Sequence, residues 1–366
     1  MKRLFEPVKI NSLELKNRII RSAAWMNAAE DNGRLNEQTL KIYEDLAKGG
    51  AGLVITGYAY ILKEEQPNPN MLGIYSDDLI EEHQKLTSLV HENGSKIGLQ
   101  IVYGGSASTH PNAKGMEFIG PSAVENRMTG ITPKEATIED FKQLTKAFGD
   151  AALRAKQAGY DAIQFHAAHG YFLSMLLTPY FNRRTDEYGG DIHGRAKLLY
   201  EIVQEVRNRV GDDFPVMIKM NYDDLLENGE GMTFEEAQQV CQRLDEIGID
   251  LIELSAGSLS GKPDLLIVRT KLKSPEAQSY YKEAAIKISS QVKAPISFVG
   301  GNRTPDLMEK ILNDSNIEFF SMARPFIAEP DLVNKWEENP SYQLKCISCN
   351  RCWDTVPVSC ILNRKK

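Results

Sequence analysis

Short apolar runs alternate with longer amphipathic segments along the chain, and about eight such pairs can be counted. The apolar runs have the length of buried strands, and the amphipathic segments repeat apolar residues at helical spacing. Strands that alternate with helices pair in parallel through right-handed crossovers, and eight such units close into a barrel. The strand-like runs cover residues 18–22, 52–56, 97–102, 162–165, 215–220, 251–254, 296–299 and 318–322.

The helical patterns complete the prediction of an α/β protein, a (β/α)8 TIM barrel. They cover residues 38–48, 77–92, 138–158, 194–210, 233–247, 277–292, 305–313 and 328–338. Two of them begin with capping-box sequences, at Thr137 and Thr233. Apolar segments at 5–10 and 13–15 predict an N-terminal β-hairpin before the first barrel strand.

The last helical pattern ends near Pro340, where a cysteine-rich segment begins. We therefore predict a barrel domain at residues 1–340 and a short cysteine-rich C-terminal tail at 341–366. The longest connection within the barrel runs from 103 to 133 and is rich in Gly, Ser, Asn and Pro. A loop of that length in a compact barrel is typical of a lid or binding loop.

Composition and charge restrict the class of protein. With 42% hydrophobic and 25% charged residues, and no apolar run long enough to cross a membrane, the chain has the make-up of a soluble globular protein. The N-terminus lacks a secretory signal pattern, so a cytoplasmic location is expected. A net charge of -7 argues against nucleic acid and anionic membranes as partners, while leaving small anionic ligands possible. The sequence is also compatible with a homo-oligomer.

Small, polar and cationic residues lie at or just after the ends of the first, second, third and fifth predicted strands, where a barrel gathers its active site. The small residues leave room for a flat ring, the amide can both donate and accept hydrogen bonds, and the lysine places a cation where negative charge could develop. In chain order these residues are Ser22, Ala23, Ala24, Thr56, Gln100 and Lys219.

Residues after the seventh and eighth predicted strands fit a phosphate. Gly300 and Gly301 expose backbone N–H groups, and Ala323 and Arg324 follow the last strand, where TIM barrels often bind phosphate. Each of these features has an ordinary structural alternative, since glycines after strands are usually turns and Arg324 could pair with a nearby carboxylate. Together with the other strand ends, they predict a flat cofactor that bears a phosphate.

The stretch 166–190 follows the fourth predicted strand and carries His166, His169 and Tyr171 within six residues. Such spacing suits a loop that aims two imidazoles at one oxygen and places a phenol nearby as a general acid. A loop whose histidines only satisfy backbone groups is an equally good interpretation of this stretch taken alone.

The segment HAAHGYFLSMLLTPYFNRRTDEYGGDIHGR resembles the signature of the old yellow enzyme family, and the likeness extends from LFEPVKINSLELKNRIIRSA to MARPFIAEPDLV. The resemblance implies a β/α barrel that holds FMN, which NADH or NADPH reduces. Reduced flavin then passes hydride to the activated C=C bond of a small electrophilic alkene. The chain is most similar to the barrel portions of 2,4-dienoyl-CoA reductase and trimethylamine dehydrogenase.

The resemblance also implies roles for individual residues. His166 and His169 would bind the activating oxygen of the substrate, and Tyr171 would supply the proton. Gln100 would bond the pyrimidine edge of the flavin, and Lys219 would lie near its N1 and O2 atoms. The remaining cofactor contacts would come from Ser22, Ala23, Ala24 and Thr56 at the ring and from Gly300, Gly301, Ala323 and Arg324 at the phosphate.

Two positions depart from the family pattern. Trp25 stands where some relatives carry Cys or Thr close to the flavin. Tyr103, followed by two glycines, replaces a more familiar His-x-Gly-Arg sequence after the third strand. These two departures predict substrate contacts that differ from the family pattern.

The tail carries Cys346, Cys349 and Cys352 at two-residue spacings and then Cys360. In the larger relatives four cysteines beyond the barrel hold a 4Fe-4S cluster, and soft thiolates on short tethers suit such a cluster. The gap before Cys360 is shorter than in those relatives. An iron-sulfur cluster, a zinc ion and an empty remnant of the site all remain open.

Other functions are compatible with the same residues. An electron-transfer flavoprotein could use a cluster in the tail to serve a partner protein. A redox-neutral barrel lyase could use Lys219 as a Schiff base. A metal site at His166 and His169 is weaker, because no carboxylate is obviously placed to complete it.

Overall fold

A closed barrel of eight parallel strands forms the centre of the computed structural model, which describes residues 1–261 and 267–364. In chain order the strands are β1 (Val8–Ile10), β2 (Leu13–Leu15), β3 (Ile19–Arg21), β4 (Leu53–Ile55), β5 (Ala59–Tyr60), β6 (Leu72–Gly73), β7 (Lys96–Val102), β8 (Ile119–Gly120), β9 (Lys134–Glu135), β10 (Ala162–Ala167), β11 (Val216–Asn221), β12 (Leu251–Ser255), β13 (Ile296–Val299) and β14 (Ile317–Met322). Around the ring the order is β3, β4, β7, β10, β11, β12, β13 and β14, and β14 pairs again with β3. The TIM-barrel prediction is confirmed.

Helices follow the barrel strands. They are α1 (Glu37–Lys48), α2 (Ile80–Glu92), α3 (Ile138–Gln157), α4 (Phe172–Leu177), α5 (Ile192–Val210), α6 (Phe234–Glu246), α7 (Lys282–Ser289), α8 (Pro305–Asp314), α9 (Arg324–Ala328) and α10 (Leu332–Glu338). Thr137 and Thr233 form the predicted capping boxes with Asp140 and Glu236. In each box the hydroxyl and the carboxylate satisfy amides that have no partner inside the helix.

Two helices differ from the sequence prediction. Helix α7 begins at Lys282 because the amides of Ser279 and Tyr280 donate to the carbonyls of Gly301 and Gly300 and so leave the helical pattern. The pattern at 328–338 contains Pro330, which has no N–H to donate and separates α9 from α10. Helix α4, inside the stretch 166–190, was not predicted.

The predicted N-terminal hairpin is present as β1 and β2, paired antiparallel. Its apolar residues Ile10, Leu13 and Leu15 are buried in one cluster with Leu53 and Met217 of the barrel interior. This packing closes the end of the barrel at which the strands begin. The opposite end, where the strands finish, carries the loops.

The cysteine-rich tail lies against that second end. Arg303, after β13, donates from Nη2 to the carbonyl of Cys346 at 2.8 Å. The amide of Val358 donates to the carbonyl of Met26, after β3, at 2.8 Å. The tail therefore contacts the loops of the seventh and the first barrel strands. Among the described residues no helix is both long and apolar enough to cross a membrane.

Candidate active site

A cavity of about 410 Å³ opens at the end of the barrel where the strands finish. Most of the site residues predicted from the sequence meet there, although they come from distant parts of the chain. Those that line the cavity are Ala23, Ala24, Gln100, His166, His169, Tyr171, Lys219, Gly300, Gly301, Ala323 and Arg324.

Two predicted residues, Ser22 and Thr56, are fully buried and do not line the cavity. The Ser22 hydroxyl accepts a hydrogen bond from Lys219 Nζ at 2.9 Å and donates one to Glu253. The Thr56 hydroxyl accepts a hydrogen bond from the backbone amide of Gln100 at 3.4 Å. Both therefore support residues of the cavity wall from behind it.

One end of the cavity, here called the tyrosine end, consists of Tyr58, Asn68, His166, His169 and Tyr171. The hydroxyl of Tyr171 donates to that of Tyr58 at 3.1 Å, and the His166 ring centre lies 4.7 Å from the Tyr171 ring centre. The side-chain amide of Asn68 donates to Tyr58 at 3.1 Å and to Tyr171 at 3.3 Å. Three rings, those of Tyr58, His166 and Tyr171, and the side-chain amide of Asn68 thus meet at one place in the cavity wall.

Both histidines of the tyrosine end are positioned by the backbone around them. His166 lies in β10, and His169 has a left-handed backbone with φ 65°. The backbone carbonyl of His169 accepts a hydrogen bond from the backbone amide of Leu259. The Nε2 atom of the His169 ring lies 2.7 Å from the Ser255 hydroxyl. A non-glycine residue with positive φ is uncommon, and this turn directs the second imidazole toward the first.

The histidines are neutral at pH 7. Burial, followed by the charge of Lys219, holds the pKa of His166 well below its usual range. The pKa of His169 is lowered for the same reasons and also by His166. Each neutral imidazole keeps one N–H. The Nδ1 atom of His166 is buried and has no hydrogen-bond partner within the described part of the chain.

The two tyrosines of the tyrosine end differ as acids. Burial raises the pKa of Tyr171, and its hydrogen bonds with Tyr58 and Asn68 oppose that rise. Burial raises the pKa of Tyr58 well above its ordinary value, with the neighbouring Tyr171 adding to the effect. Both phenols are protonated at neutral pH, and Tyr171 has the stronger support for its ionised form.

A chain of buried polar side chains crosses the barrel interior below the cavity. Lys219 Nζ lies 3.1 Å from a Glu253 carboxylate oxygen, and the other carboxylate oxygen accepts from Gln164 at 3.0 Å. Gln164 in turn accepts from Gln100 Nε2 at 2.7 Å. An unpaired charge is costly at this depth, and the contact with Glu253 gives the Lys219 side chain a partner that fixes its position.

The opposite end of the cavity, here called the arginine end, consists of Gly300, Gly301, Ala323 and Arg324. The backbone amides of the first three have no acceptor among the residues that the structure describes. Gly300 has φ 134° and Gly301 has φ 79°, so the chain turns there in a way that favours glycine. Three free N–H groups beside a guanidinium form a site suited to an anion.

The tail contributes to the arginine end. Arg324 does not pair with Glu329 or Asp331, whose partner is Lys335. It donates to the carbonyl of Arg269 at 3.0 Å and to the Asn350 side chain in the tail. Arg303 donates to the Ser348 hydroxyl at 3.1 Å. Ser348 and Trp353 also line the cavity, so the tail forms part of its wall.

The four tail cysteines line a second, small pocket that shares Arg324 and Ser348 with the main cavity. All four thiols are free, and burial raises the pKa of Cys352 while the Arg324 charge opposes that rise. Within residues 1–261 and 267–364, no three His, Cys, Asp or Glu side chains are grouped closely enough to hold a metal ion. The predicted ligands are thus brought to one pocket, though not into a closed site for a single ion.

The two departures from the family pattern take different places. Trp25 lines the cavity, and its Nε1 donates to the carbonyl of Pro69 at 3.0 Å. Tyr103 is buried outside the cavity, with its ring 5.1 Å from that of Phe172. The loop 103–133 does reach the cavity, through Thr109 and Met128. Trp25 therefore contacts whatever binds, whereas Tyr103 supports the wall.

The sequence analysis missed Tyr58, Asn68 and Glu253. Glu253 had a usable signal, because it is the one acid in the apolar run 251–254 and such a residue needs a buried partner. Tyr58 lies three residues beyond β4, two residues after Thr56, the residue predicted at this strand end. Asn68 lies in an irregular segment and carried no signal.

Comparison with known proteins identifies the family of the chain. The model described as the NADH:flavin oxidoreductase / NADH oxidase family matches residues 3–343. The chain belongs to this family. Flavin as cofactor and a nicotinamide nucleotide as reductant are typical of the NADH:flavin oxidoreductase / NADH oxidase family.

Individual relatives agree with that assignment. The NADPH dehydrogenase of Bacillus subtilis is 32% identical, with 90% of this chain and 92% of the relative covered. The NADH oxidase of Thermoanaerobacter brockii is 31% identical over 98% of this chain and 56% of its own length. A structure of 2-naphthoyl-CoA reductase with 2-naphthoyl-CoA superimposes with a TM-score of 0.90 and 26% identity, covering 99% of this chain and 57% of that one. The chain thus spans about half the length of its larger relatives.

Proposed function

We propose that this chain is an FMN-dependent oxidoreductase that uses NADH or NADPH to reduce the activated C=C bond of a small electrophilic alkene. The observation that carries the proposal is the pairing, in one cavity, of an anion-binding arginine end with a tyrosine end that holds one phenol and two neutral imidazoles. Membership of the NADH:flavin oxidoreductase / NADH oxidase family supports the flavin and the reductant.

The cavity residues fit FMN. The free amides of Gly300, Gly301 and Ala323 together with Arg324 fit the phosphate. Gln100 and Lys219 supply a hydrogen-bonding amide and a cation for the polar edge of the ring. Ser22 and Thr56 would act indirectly, since they hold Lys219 and Gln100 from behind.

When bound, FMN supplies the hydride carrier that couples oxidation of the nucleotide to reduction of the alkene. The histidines are suited to bind the activating oxygen of the alkene, on which negative charge grows during hydride addition. Two N–H donors aimed at that oxygen stabilise the transition state more than the ground state. A hydroxyl hydrogen bond from Ser255 to Nε2 of His169 would leave the imidazole proton on Nδ1.

Tyr171 is suited to deliver the proton to the α-carbon of the substrate. It lines the cavity, it lies beside His166, and its raised pKa keeps it protonated at neutral pH. A buried phenol that holds its proton until a strongly basic carbon develops is an appropriate general acid for this step.

The proposal is tested by anaerobic purification followed by rapid mixing. We expect a flavin absorption spectrum, bleaching of that spectrum by NADH or NADPH, and recovery of it by cyclohexenone with consumption of the alkene. Comparison of the two nucleotides in the first step identifies the reductant. Protein that lacks flavin, or reduced protein that no electron-poor alkene reoxidises, would contradict the proposal.

A second proposal concerns the tail, where we infer that Cys346, Cys349, Cys352 and Cys360 hold a 4Fe-4S cluster. The supporting observation is that all four free thiols line one pocket. Soft thiolates on short tethers, as at Cys346, Cys349 and Cys352, suit such a cluster.

Iron and acid-labile sulfide analysis tests this second proposal. We expect roughly four of each per chain, lost in Cys349→Ser and kept in Cys241→Ala, whose thiol lies in α6 next to Met220. A protein that contains flavin but neither iron nor sulfide would contradict the cluster and leave the first proposal intact.

The two rival functions have their own readouts. A cluster-bearing protein that turns over no small alkene would favour electron transfer to a partner. Trapping of a carbonyl substrate by borohydride would favour the Schiff-base lyase. The lyase is disfavoured by the contacts of Lys219, because its Nζ is already bonded to Glu253 and Ser22 and a Schiff base requires this amine to attack a carbonyl carbon.

A further inference from the structure

The tyrosine end contains two polar side chains to which the proposed reaction assigns no part, Tyr58 and Asn68. Both line the cavity, and Asn68 is only 4% exposed. Each donates or accepts a hydrogen bond at the hydroxyl of Tyr171. Buried polar groups need hydrogen-bond partners, and these two side chains share one partner, the hydroxyl oxygen of Tyr171.

The amide of Asn68 is oriented by a residue on its other side. The Thr109 hydroxyl donates to Oδ1 of Asn68, so that Nδ2 and its two hydrogens face the phenols. One hydrogen is directed to Tyr58 at 3.1 Å and the other to Tyr171 at 3.3 Å. Tyr171 and Tyr58 are themselves 3.1 Å apart. The three groups form a closed triangle of hydrogen bonds.

We propose that Tyr58 and Asn68 form a phenolate clamp, which stabilises the negative charge that Tyr171 acquires when it gives up its proton. The inference rests on the proposed function. In that step the O–H bond of Tyr171 breaks, a C–H bond forms at the substrate α-carbon, and the electron pair of the O–H bond stays on the Tyr171 oxygen. Tyr58 then turns its hydroxyl toward that oxygen and donates, as Asn68 already does. Water restores the proton after the product leaves.

The clamp acts in the transition state because its hydrogen bonds strengthen as charge develops. A hydrogen bond to an ionised acceptor is roughly twice as strong as one between neutral groups, and the buried site screens it little. Burial and the carboxyl group of Glu65 both raise the pKa of Tyr171, so without donors the phenol would be a poor acid. The higher pKa of Tyr58 keeps its own proton in place.

Kinetics of Tyr58→Phe and Asn68→Leu test the clamp. We expect each variant to slow the reoxidation of reduced flavin by an alkene by about ten- to a hundredfold, in line with loss of one hydrogen bond to a charged acceptor, and to leave flavin reduction by the nucleotide unchanged. The solvent deuterium isotope effect on reoxidation should rise, because proton transfer becomes the slow step. Tyr60→Phe is the matched control, since Tyr60 is also buried but stacks on Tyr75 and does not line the cavity.

A second readout does not depend on turnover. In protein labelled with fluorotyrosine, fluorine NMR follows the ionisation of Tyr171, and the signal is assigned by its loss in Tyr171→Phe. We expect the pKa of Tyr171 to rise by roughly one unit for each donor removed. Thr109→Val alters only an exposed side chain and should raise that pKa by less, because the Asn68 amide loses its orienting partner.

The outcomes separate the clamp from the proposed function. If Tyr171→Phe reacts like wild type, the proton-donor assignment itself is wrong. If Tyr171→Phe is slow while Tyr58→Phe and Asn68→Leu match Tyr60→Phe in rate and in Tyr171 pKa, the clamp is wrong and the function stands. Should either clamp variant fail to fold, Thr109→Val decides the matter, and an unchanged Tyr171 pKa in it overturns the clamp.

Discussion

The tyrosine end of the cavity is held by side chains that bond to one another, whereas the arginine end is held by backbone whose amides are left free. Tyr58, Asn68 and Tyr171 satisfy each other within the protein. Gly300, Gly301 and Ala323 line the cavity, and their N–H groups have no acceptor within the described part of the chain. The first arrangement prepares a proton for transfer, and the second prepares a binding site. Substitutions at the two ends should therefore change different quantities.

The broadest effect is expected from Gly300→Ala at the arginine end, because both half-reactions need the bound flavin. A Cβ there would lie 2.7 Å from the buried ring of Tyr281, and the φ of 134° disfavours any side chain. We expect flavin affinity to fall by at least about tenfold, as strain of this kind predicts, with all activity lost in proportion. Flavin content and fluorimetric titration provide the measurement. Gly94→Ala is the control, since its φ is also positive but nothing lies within 4 Å; equal flavin affinity in both variants would contradict the assignment.

At the tyrosine end, Tyr171→Phe should leave flavin content and flavin reduction unchanged. Removal of the phenolic proton should slow reoxidation by an alkene by roughly 10²- to 10⁴-fold, the usual contribution of a general acid. Stopped-flow measurement of both half-reactions on the same preparation separates the two steps. A variant that loses flavin instead would show that the two ends of the cavity are not independent.

The neutral histidines predict a pH dependence of stability. Their pKa values are lowered in the folded state, so the unfolded chain binds more protons below its own histidine pKa near 6.5. The stability that they contribute is present above that pH and is lost as the pH falls, at up to about 1.4 kcal/mol per pH unit for each histidine. Urea unfolding at several pH values should therefore show a shallower loss in the double variant His166→Asn, His169→Asn. Parallel curves would contradict the lowered pKa values, because they require each histidine to have the same pKa in the folded and the unfolded chain. His83, whose pKa burial lowers to about 4, adds the same background to both proteins.

The smallest effect is expected where the tail meets the arginine end. Ser348→Ala removes one partly buried hydrogen bond to Arg303, worth about 1 kcal/mol. Flavin affinity should change by less than about tenfold, as measured by the same titration. Ser359→Ala, in the tail but bonded to Thr355, serves as the control. A loss as large as that in Gly300→Ala would make the tail an essential part of the arginine end.

Local chain order decides what could be predicted from the sequence. His166, His169 and Tyr171 lie within six residues after a strand, so the barrel rule alone brings them together. The glycines and Arg324 follow strands in the same way. Tyr58 and Asn68 reach the cavity through an irregular segment, and nothing in their neighbours reveals which side chain they will meet. The partner of Lys219, Glu253, lies on another strand, so its role depends on side-chain contacts that the repeat pattern does not contain.

The hydrogen bond between Val358 and Met26 joins the last part of the described chain to the loop of the first barrel strand. Segments tied in this way tend to open together in native-state hydrogen exchange. The Val358 amide should therefore exchange at the rate of the loop after β3, although more than three hundred residues separate them. Local opening at this end of the barrel would then expose both the cysteine pocket and the cavity wall that contains Trp25 in a single event.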